Sequence, residues 1–306
     1  MRATAVSRFK RMMARDGLLI LLCLPAIAYF IVFDYFPMYG ILIAFKRYMP
    51  SAGIWGSPWV GFQWFEQFFG SIFIKRLIVN TLMISSLNLL VGFPIPIIFA
   101  LLLNELRVPR FKRVVQTISY LPHFISTVVV VAIMQTLLSM QNGVVNEMIY
   151  RLGGQRINFF MEPSWFRPLY IGSGVWQSYG WSSIIYIAAI AGIDPTLYEA
   201  GAIDGTNRWH NIIYITLPGI LPTIGILLIL RLGQMMSVGF EKIILMYNER
   251  TYSVADVIST YTYRRGILNA DYSFASAVGL FNSVINLTLL VFFNNVSKKV
   301  MEVSLW

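Results

Sequence analysis

Ile193-Asp194-Pro195-Thr196-Leu197-Tyr198-Glu199-Ala200-Gly201-Ala202-Ile203-Asp204-Gly205-Thr206-Asn207-Arg208-Trp209 lies between two long apolar runs and carries its own start and stop signals. Asp194 before Pro195 is an N-cap followed by proline at the first helical position. Leu197, Ala200, Gly201 and Asp204 fall at helical spacing, and Gly205 can take the left-handed conformation that ends a helix. The pattern predicts a short helix over 195–204, about 15 Å long. Thr206 or Asn207 can then cap a second helix leading into Leu217-Pro218. A helix this short, lying across a surface, leaves Leu197, Tyr198, Ala200 and Ile203 bare unless a partner covers them. Ala200, Gly201 and Ala202 permit close approach, and Glu199 and Asp204 set fixed charge beside that patch. Gly201 and Gly205 also match a GxxxG pattern, but the adjacent carboxylates argue against a seam in lipid. Two roles fit these residues: a docking helix, or a solvated connection between two spans.

Working outward, the flanking runs define the class. The chain has 306 residues, 57% of them hydrophobic and only 12% charged, and a mean hydropathy of +0.65. Soluble domains carry roughly 25% charged residues. At half that level a soluble globule could not cover its surface with polar groups, and disorder, collagen and coiled coil are excluded too. A spanning helix needs about 20 apolar residues to cross a ~30 Å hydrocarbon core. The charge-free stretches predict six such helices, near 17–39, 77–104, 115–140, 168–193, 217–239 and 272–297. There is no internal repeat and no linker of soluble-domain size, so residues 1–306 read as one all-α integral membrane domain.

The first stretch has a competing reading. Arg8, Lys10, Arg11 and Arg15 precede it, and Ala26-Ile27-Ala28 imitates a signal-peptide cleavage site. Leu22 before Cys23 is too bulky for a lipoprotein site. Five further spans favour an uncleaved helix. Lys and Arg divide almost evenly between the two sides, but the N-terminal flank of the first helix is dense in them. The positive-inside rule then places both termini in the cytoplasm, along with the 195–204 helix. Trp55, Trp59, Trp64, Phe65, Phe68 and Phe69 in the first outer loop read as an interfacial anchor. The net charge of +10 flanks apolar runs, which suits anionic lipid headgroups rather than nucleic acid. One cysteine excludes an internal disulfide framework and a multi-cysteine metal site. With two histidines, His123 and His210, and no HExxH, no metal ligands and no catalytic residues emerge.

Glu199-Ala200-Gly201, Gly205, and Ile215-Thr216-Leu217-Pro218 together resemble the EAA loop of ABC importer permeases. The usual loop begins Glu-Ala-Ala; Gly201 departs from it but keeps a small residue. The likeness runs over nearly the whole chain. Leu24-Pro25-Ala26, Phe36-Pro37-Met38-Tyr39-Gly40, Gly53-Ile54-Trp55-Gly56, Leu121-Pro122-His123-Phe124-Ile125-Ser126, Asp271-Tyr272-Ser273-Phe274-Ala275 and the terminal Leu305-Trp306 resemble the polysaccharide branch of the carbohydrate importers, relatives of the maltose permease pair. The resemblance implies the type I ABC importer permease fold and a bacterial cytoplasmic membrane location. Its implied partners are a second homologous permease, two ABC ATPases and an extracytoplasmic sugar-binding protein that delivers an oligosaccharide. ATP and magnesium belong to the ATPases; this chain has no GxxxxGK[ST] phosphate loop and no cofactor of its own. Tyr198, Glu199, Ala200, Gly201, Asp204 and Gly205 become the expected ATPase-coupling residues. An importer for another solute, an ATP-independent sugar facilitator and a membrane enzyme are the alternatives. The facilitator gives no reason for a capped helix at 195–204, and the enzyme lacks a catalytic cluster.

Counting from Glu199, sugar contacts in the similar maltose permease fall on Trp176, Gln177, Ser178 and Trp181, and on Arg231, Gln234, Met235 and Val238. The tryptophans also fit as headgroup anchors. Met235 and Val238 are apolar, so the contact set has diverged. Arg231 is costly within a span, by ~2.5 kcal/mol or more at its centre. It must face a wet path, meet a counter-ion on a second permease, or snorkel to headgroups. In a path it would suit an acidic sugar, because guanidinium pairs carboxylate bidentately.

Overall fold

The computed structural model describes residues 5–300 and 302–306, with side chains from residue 15 onward. The basic side chains of Arg2, Arg8, Lys10 and Arg11 lie outside the described residues. Among the described residues, four helices are long and apolar enough to cross a membrane: Arg15–Phe45, Ile74–Asn104, Arg208–Leu232 and Tyr272–Val300. They are not uniform cylinders. The first passes through a π-turn at Ile31–Tyr35 into a 3-10 stretch at Phe36–Phe45, and the second through a π-turn at Asn88–Gly92.

The expected third span, 115–140, is broken. Helix Pro109–Phe124 and helix Thr127–Leu137 meet at 99°, and count as a fifth span only if taken together. Pro122 sits in the tightened turn Leu121–Phe124, and Ile125 and Ser126 are extended. Ser126 then caps the next helix by accepting the Val129 N–H at 3.4 Å. An apolar run says how much lipid a segment tolerates, not whether it is straight.

The expected fourth span is the 29-residue helix Pro163–Ala191, about 43 Å long. It is long enough to cross but is not among the helices apolar enough to do so. Tertiary position explains this: it is the hub of the bundle, packed against Ile74–Leu87, Pro94–Asn104, Pro109–Tyr120, Leu217–Leu232 and Phe240–Met246. A helix with protein on most sides need not satisfy lipid. Its close approach to Pro109–Tyr120 uses Gly180, where any Cβ would collide with the Ser119 carbonyl. The expected fifth span starts and stops earlier than 217–239, running continuously from Arg208 and ending at Leu232.

Three buried clusters hold the chain together. Ile97, Ala100, Tyr186, Ile190 and Ile220 form one near the short helix. Two others gather at the opposite end, around Ile84, Phe166, Val238 and Ile243, and around Phe68, Leu77, Ile258 and Phe274. Between these last two lies a polar knot. Asp256 is fully buried and pairs with Arg264 at 2.8 Å and Arg76 at 3.4 Å. Thr260 Oγ1 donates to its other oxygen at 2.8 Å. Asn80 donates to the Asp256 carbonyl at 3.0 Å and accepts from Arg167 at 2.9 Å. By contrast, the apolar window of the first helix buries none of its residues within the chain.

Candidate functional site

The short helix is Pro195–Ile203, with Asp204 as its C-cap rather than its last turn. Asp194 accepts the Thr196 N–H at 2.9 Å, and this bond lowers its pKa below the ordinary carboxylate value. Gly205 has φ +73°. The Thr206 N–H donates to the Gly201 carbonyl at 2.9 Å and the Gly205 N–H to the Ala202 carbonyl at 3.2 Å, the two bonds of a Schellman end. Asn207 then caps the following helix through the His210 N–H at 3.0 Å.

The helix is fixed to the chain by one side and bare on the other. Gly201 is buried, and a Cβ there would meet Thr206 Oγ1 at 2.8 Å and Ile215 Cδ1 at 3.1 Å. The Tyr198 hydroxyl bonds Thr216 Oγ1 at 2.9 Å, and Thr206 Oγ1 donates to Asn211 Oδ1 at 2.6 Å. Glu199, Ala200, Asp204 and Gly205 are exposed, as are Leu197 and, at 87%, Ile203. The residues expected to couple thus divide into two sets. Tyr198 and Gly201 grip the rest of the chain, while Glu199, Ala200 and Asp204 face outward. His210 is exposed and stacks beside Tyr214.

On the central helix, Tyr170, Gly174, Gln177 and Trp181 share one face by their four-three-four spacing. Trp181 stacks on His123, with ring centroids 4.6 Å apart and planes 2° from parallel, and Phe124 meets the same indole edge-on at 5.5 Å. Gln177 Nε2 donates to the Ile125 carbonyl at 2.7 Å. This face therefore clasps the break in the third span. Trp176 is turned about 140° away from Trp181 by the five-residue step, so the two indoles do not act on one ring; both are partly exposed, at 46% and 44%. Ser178 Oγ donates back to the Gly174 carbonyl at 2.8 Å.

Arg231 and Gln234 are both exposed. Gln234 sits past the helix end, but its N–H still reaches the Arg231 carbonyl at 3.2 Å, so the pair stays one turn apart. Among the described residues Arg231 has no carboxylate within ion-pair distance. Val238 is buried in the core and is removed from the set of path residues. The turn bearing Gln234 is held by a residue of the last helix. Asn286, on the last helix, accepts the Met236 N–H at 3.1 Å and donates to Ser237 Oγ at 2.7 Å. The signal available in the sequence was an amide placed inside an apolar span. Among the described residues no group of three His, Cys, Asp or Glu side chains is placed to hold a metal.

The chain as a whole is similar to known transport proteins. Protein LplB of Bacillus subtilis (strain 168) is 46% identical over 93% of this chain and 90% of its own length. The polygalacturonan/rhamnogalacturonan transport system permease protein YteP of the same organism is 45% identical over 93% of this chain and 88% of its own. A crystal structure of a bacterial ABC transporter that imports the acidic polysaccharide alginate contains a chain 47% identical to this one. It superposes with a TM-score of 0.87 over 96% of this chain and 99% of that one. The alginate transporter in complex with its alginate pentasaccharide-bound periplasmic protein gives a TM-score of 0.88 at 46% identity, over 97% and 100% of the two chains. Residues 92–302 match the model of the binding-protein-dependent transport system inner membrane component family. The chain belongs to that family: it is a multi-pass membrane permease subunit of an ABC import system.

Proposed function

We propose that this permease, paired with a second homologous permease and two ABC ATPases, moves acidic oligosaccharides into the cell after an extracytoplasmic binding protein delivers them. The observation that carries the ATP-driven part is the Pro195–Ile203 helix. It is capped at both ends, anchored through Tyr198 and Gly201, and bare along Glu199, Ala200 and Ile203. A rigid element gripped on one side only can pass motion from whatever docks on the other. Each ATPase would receive one such helix and keep ATP and magnesium to itself. The density of positive charge before the first helix supports a cytoplasmic position for this face and for both termini, at the bacterial cell membrane.

The acidic substrate class is supported by Arg231, exposed and with no carboxylate within ion-pair distance among the described residues, and by the 47% identity to the permease of an alginate importer. Gln234, one turn on, can bind hydroxyls, and Trp181 or Trp176 can stack on a ring. The test is reconstitution of the four-subunit assembly in liposomes with its binding protein. The expected result is ATP-dependent uptake of a uronate oligosaccharide. Uptake that proceeds without the ATPases would overturn the reading in favour of a facilitator.

A further inference from the structure

Lys242 lies in the short helix Phe240–Met246, between the last two spans. Its Nζ donates to the Tyr170 carbonyl at 3.0 Å and sits 5.0 Å from the centre of the Tyr170 ring. A Cβ built at Gly174 would lie 3.4 Å from the same nitrogen. The ammonium therefore rests across one end of the face that continues through Gln177 to Trp181.

The carboxylates that form ion pairs on this side of the described chain do so with other cations. Asp256 holds Arg264 and Arg76, Glu147 holds Arg151 and Arg156, and Asp271 holds Arg265. Glu241 is exposed, and adjacent residues of a helix do not face each other. Among the described residues no carboxylate is within ion-pair distance of Lys242. One carbonyl and one ring face replace only part of the water an ammonium loses, and an unpaired charge in such a place is expensive. Burial accordingly pushes the Lys242 pKa down to about 8. Gly174 puts no side chain of its own beside the nitrogen, and a Cβ there would meet no other heavy atom within 4 Å beyond its own stretch of helix.

We propose that Lys242 is a specificity-determining residue that pairs a carboxylate of the transported sugar at the Tyr170–Gly174 end of this face. The inference rests on the acidic-substrate reading above and adds a second cation to Arg231. Tyr170 and Trp181 are eleven residues apart, about 16 Å along the helix. A chain of several rings can thus meet Lys242 at one end while its apolar face reaches the indole.

The experiment uses the assembled transporter in liposomes with its binding protein. It compares uptake of a uronate oligosaccharide with that of its carboxyl-reduced, neutral counterpart of equal length. Lys242→Gln should lower the acidic-over-neutral preference about tenfold or more, the loss expected of one charged hydrogen bond, and Lys242→Arg should restore most of it. Gly174→Asp, which keeps the lysine but supplies a competing carboxylate, should lower the preference in the same direction. An unchanged preference in Lys242→Gln and Gly174→Asp overturns the proposal. So does an equal loss for both sugars, which would make Lys242 the counter-ion of a carboxylate on the second permease. If Lys242→Gln does not assemble, Gly174→Asp decides. A wild-type transporter that carries only the neutral sugar overturns the acidic-substrate reading itself, and this inference with it.

Discussion

Gln177 Nε2 reaches across from the central helix to the Ile125 carbonyl, 2.7 Å away, at the point where the third span bends. Bending frees backbone groups that a membrane interior offers no water to satisfy. The amide supplies that missing partner, and the His123–Trp181 stack one turn along closes the same joint. The face of the central helix that resemblance assigns to sugar is thus also the face that sets the geometry of the break.

Gln177→Leu should therefore destabilise the protein by about 1 kcal/mol or more, the cost of orphaning a partly buried acceptor. Thermal unfolding in detergent measures this. His123→Ala and Trp181→Ala should be non-additive in the same assay, with a coupling of ~0.5–1.5 kcal/mol for the ring pair. Additive effects would mean that the stack contributes nothing to the joint.

The coupling role proposed for the short helix rests on its bare side. Glu199→Lys should leave the fold intact yet abolish stimulation of ATPase activity by substrate, because it reverses charge on the docking face. Gly205→Val places a β-branched residue at φ +73°, a strain of ~1–2 kcal/mol, and should uncouple transport by loosening the Schellman end. Gly201→Ala is the subtler case. The added methyl would meet Thr206 Oγ1 at 2.8 Å and disturb its bond to Asn211, so reduced coupling is expected even though alanine is usual at this place in similar loops. Unchanged stimulation in all three variants would remove the docking role.

Substrate charge is tested at Arg231. Arg231→Gln should impair uptake of an acidic oligosaccharide by about tenfold to over a hundredfold relative to a neutral one, matching a charged hydrogen bond of ~1.5–3 kcal/mol. The binding protein must deliver both sugars, since it imposes its own selectivity. Equal losses would point to an ion pair with the second permease, and no loss to the lipid or headgroup side.

Asn286 acts at one remove from the path. Asn286→Ala deletes both bonds that hold Met236 and Ser237 and should free the turn that carries Gln234. Half-saturation for oligosaccharide should rise several-fold while the maximal rate changes less. Asn286→Ser, which retains an acceptor for the Met236 N–H, should recover part of the loss. A fall in maximal rate alone would assign Asn286 to helix packing.

Asp256 tests the polar knot. Asp256→Ala leaves the Arg264 guanidinium without its carboxylate in a site where Asp256 is fully buried, and should cost ~3–5 kcal/mol. A large drop in melting temperature is expected, with Arg264→Ala comparably damaging. A near-wild-type melting point in either variant would show that water enters the site and screens the pair.

Residues acting over short sequence distances were legible without the fold. Asp194 caps through Thr196, Asn207 through His210, and Gly205 stops its helix, because each forms bonds only a few positions along the chain. Hydropathy likewise gave away the membrane class, and capping residues the short helix at 195–203, since both are sums or spacings along the sequence. Tertiary structure alone decided the rest. It decided that the third apolar run bends by 99°, that Trp181 stacks on His123, and that Val238 is core. It also decided that Asp256 finds Arg76, 180 positions away, and that Lys242 and Arg231 have no carboxylate within ion-pair distance among the described residues. An apolar run has a length but no direction, and a charge in the sequence has a sign but no neighbour. Only packing the helices against one another assigns either.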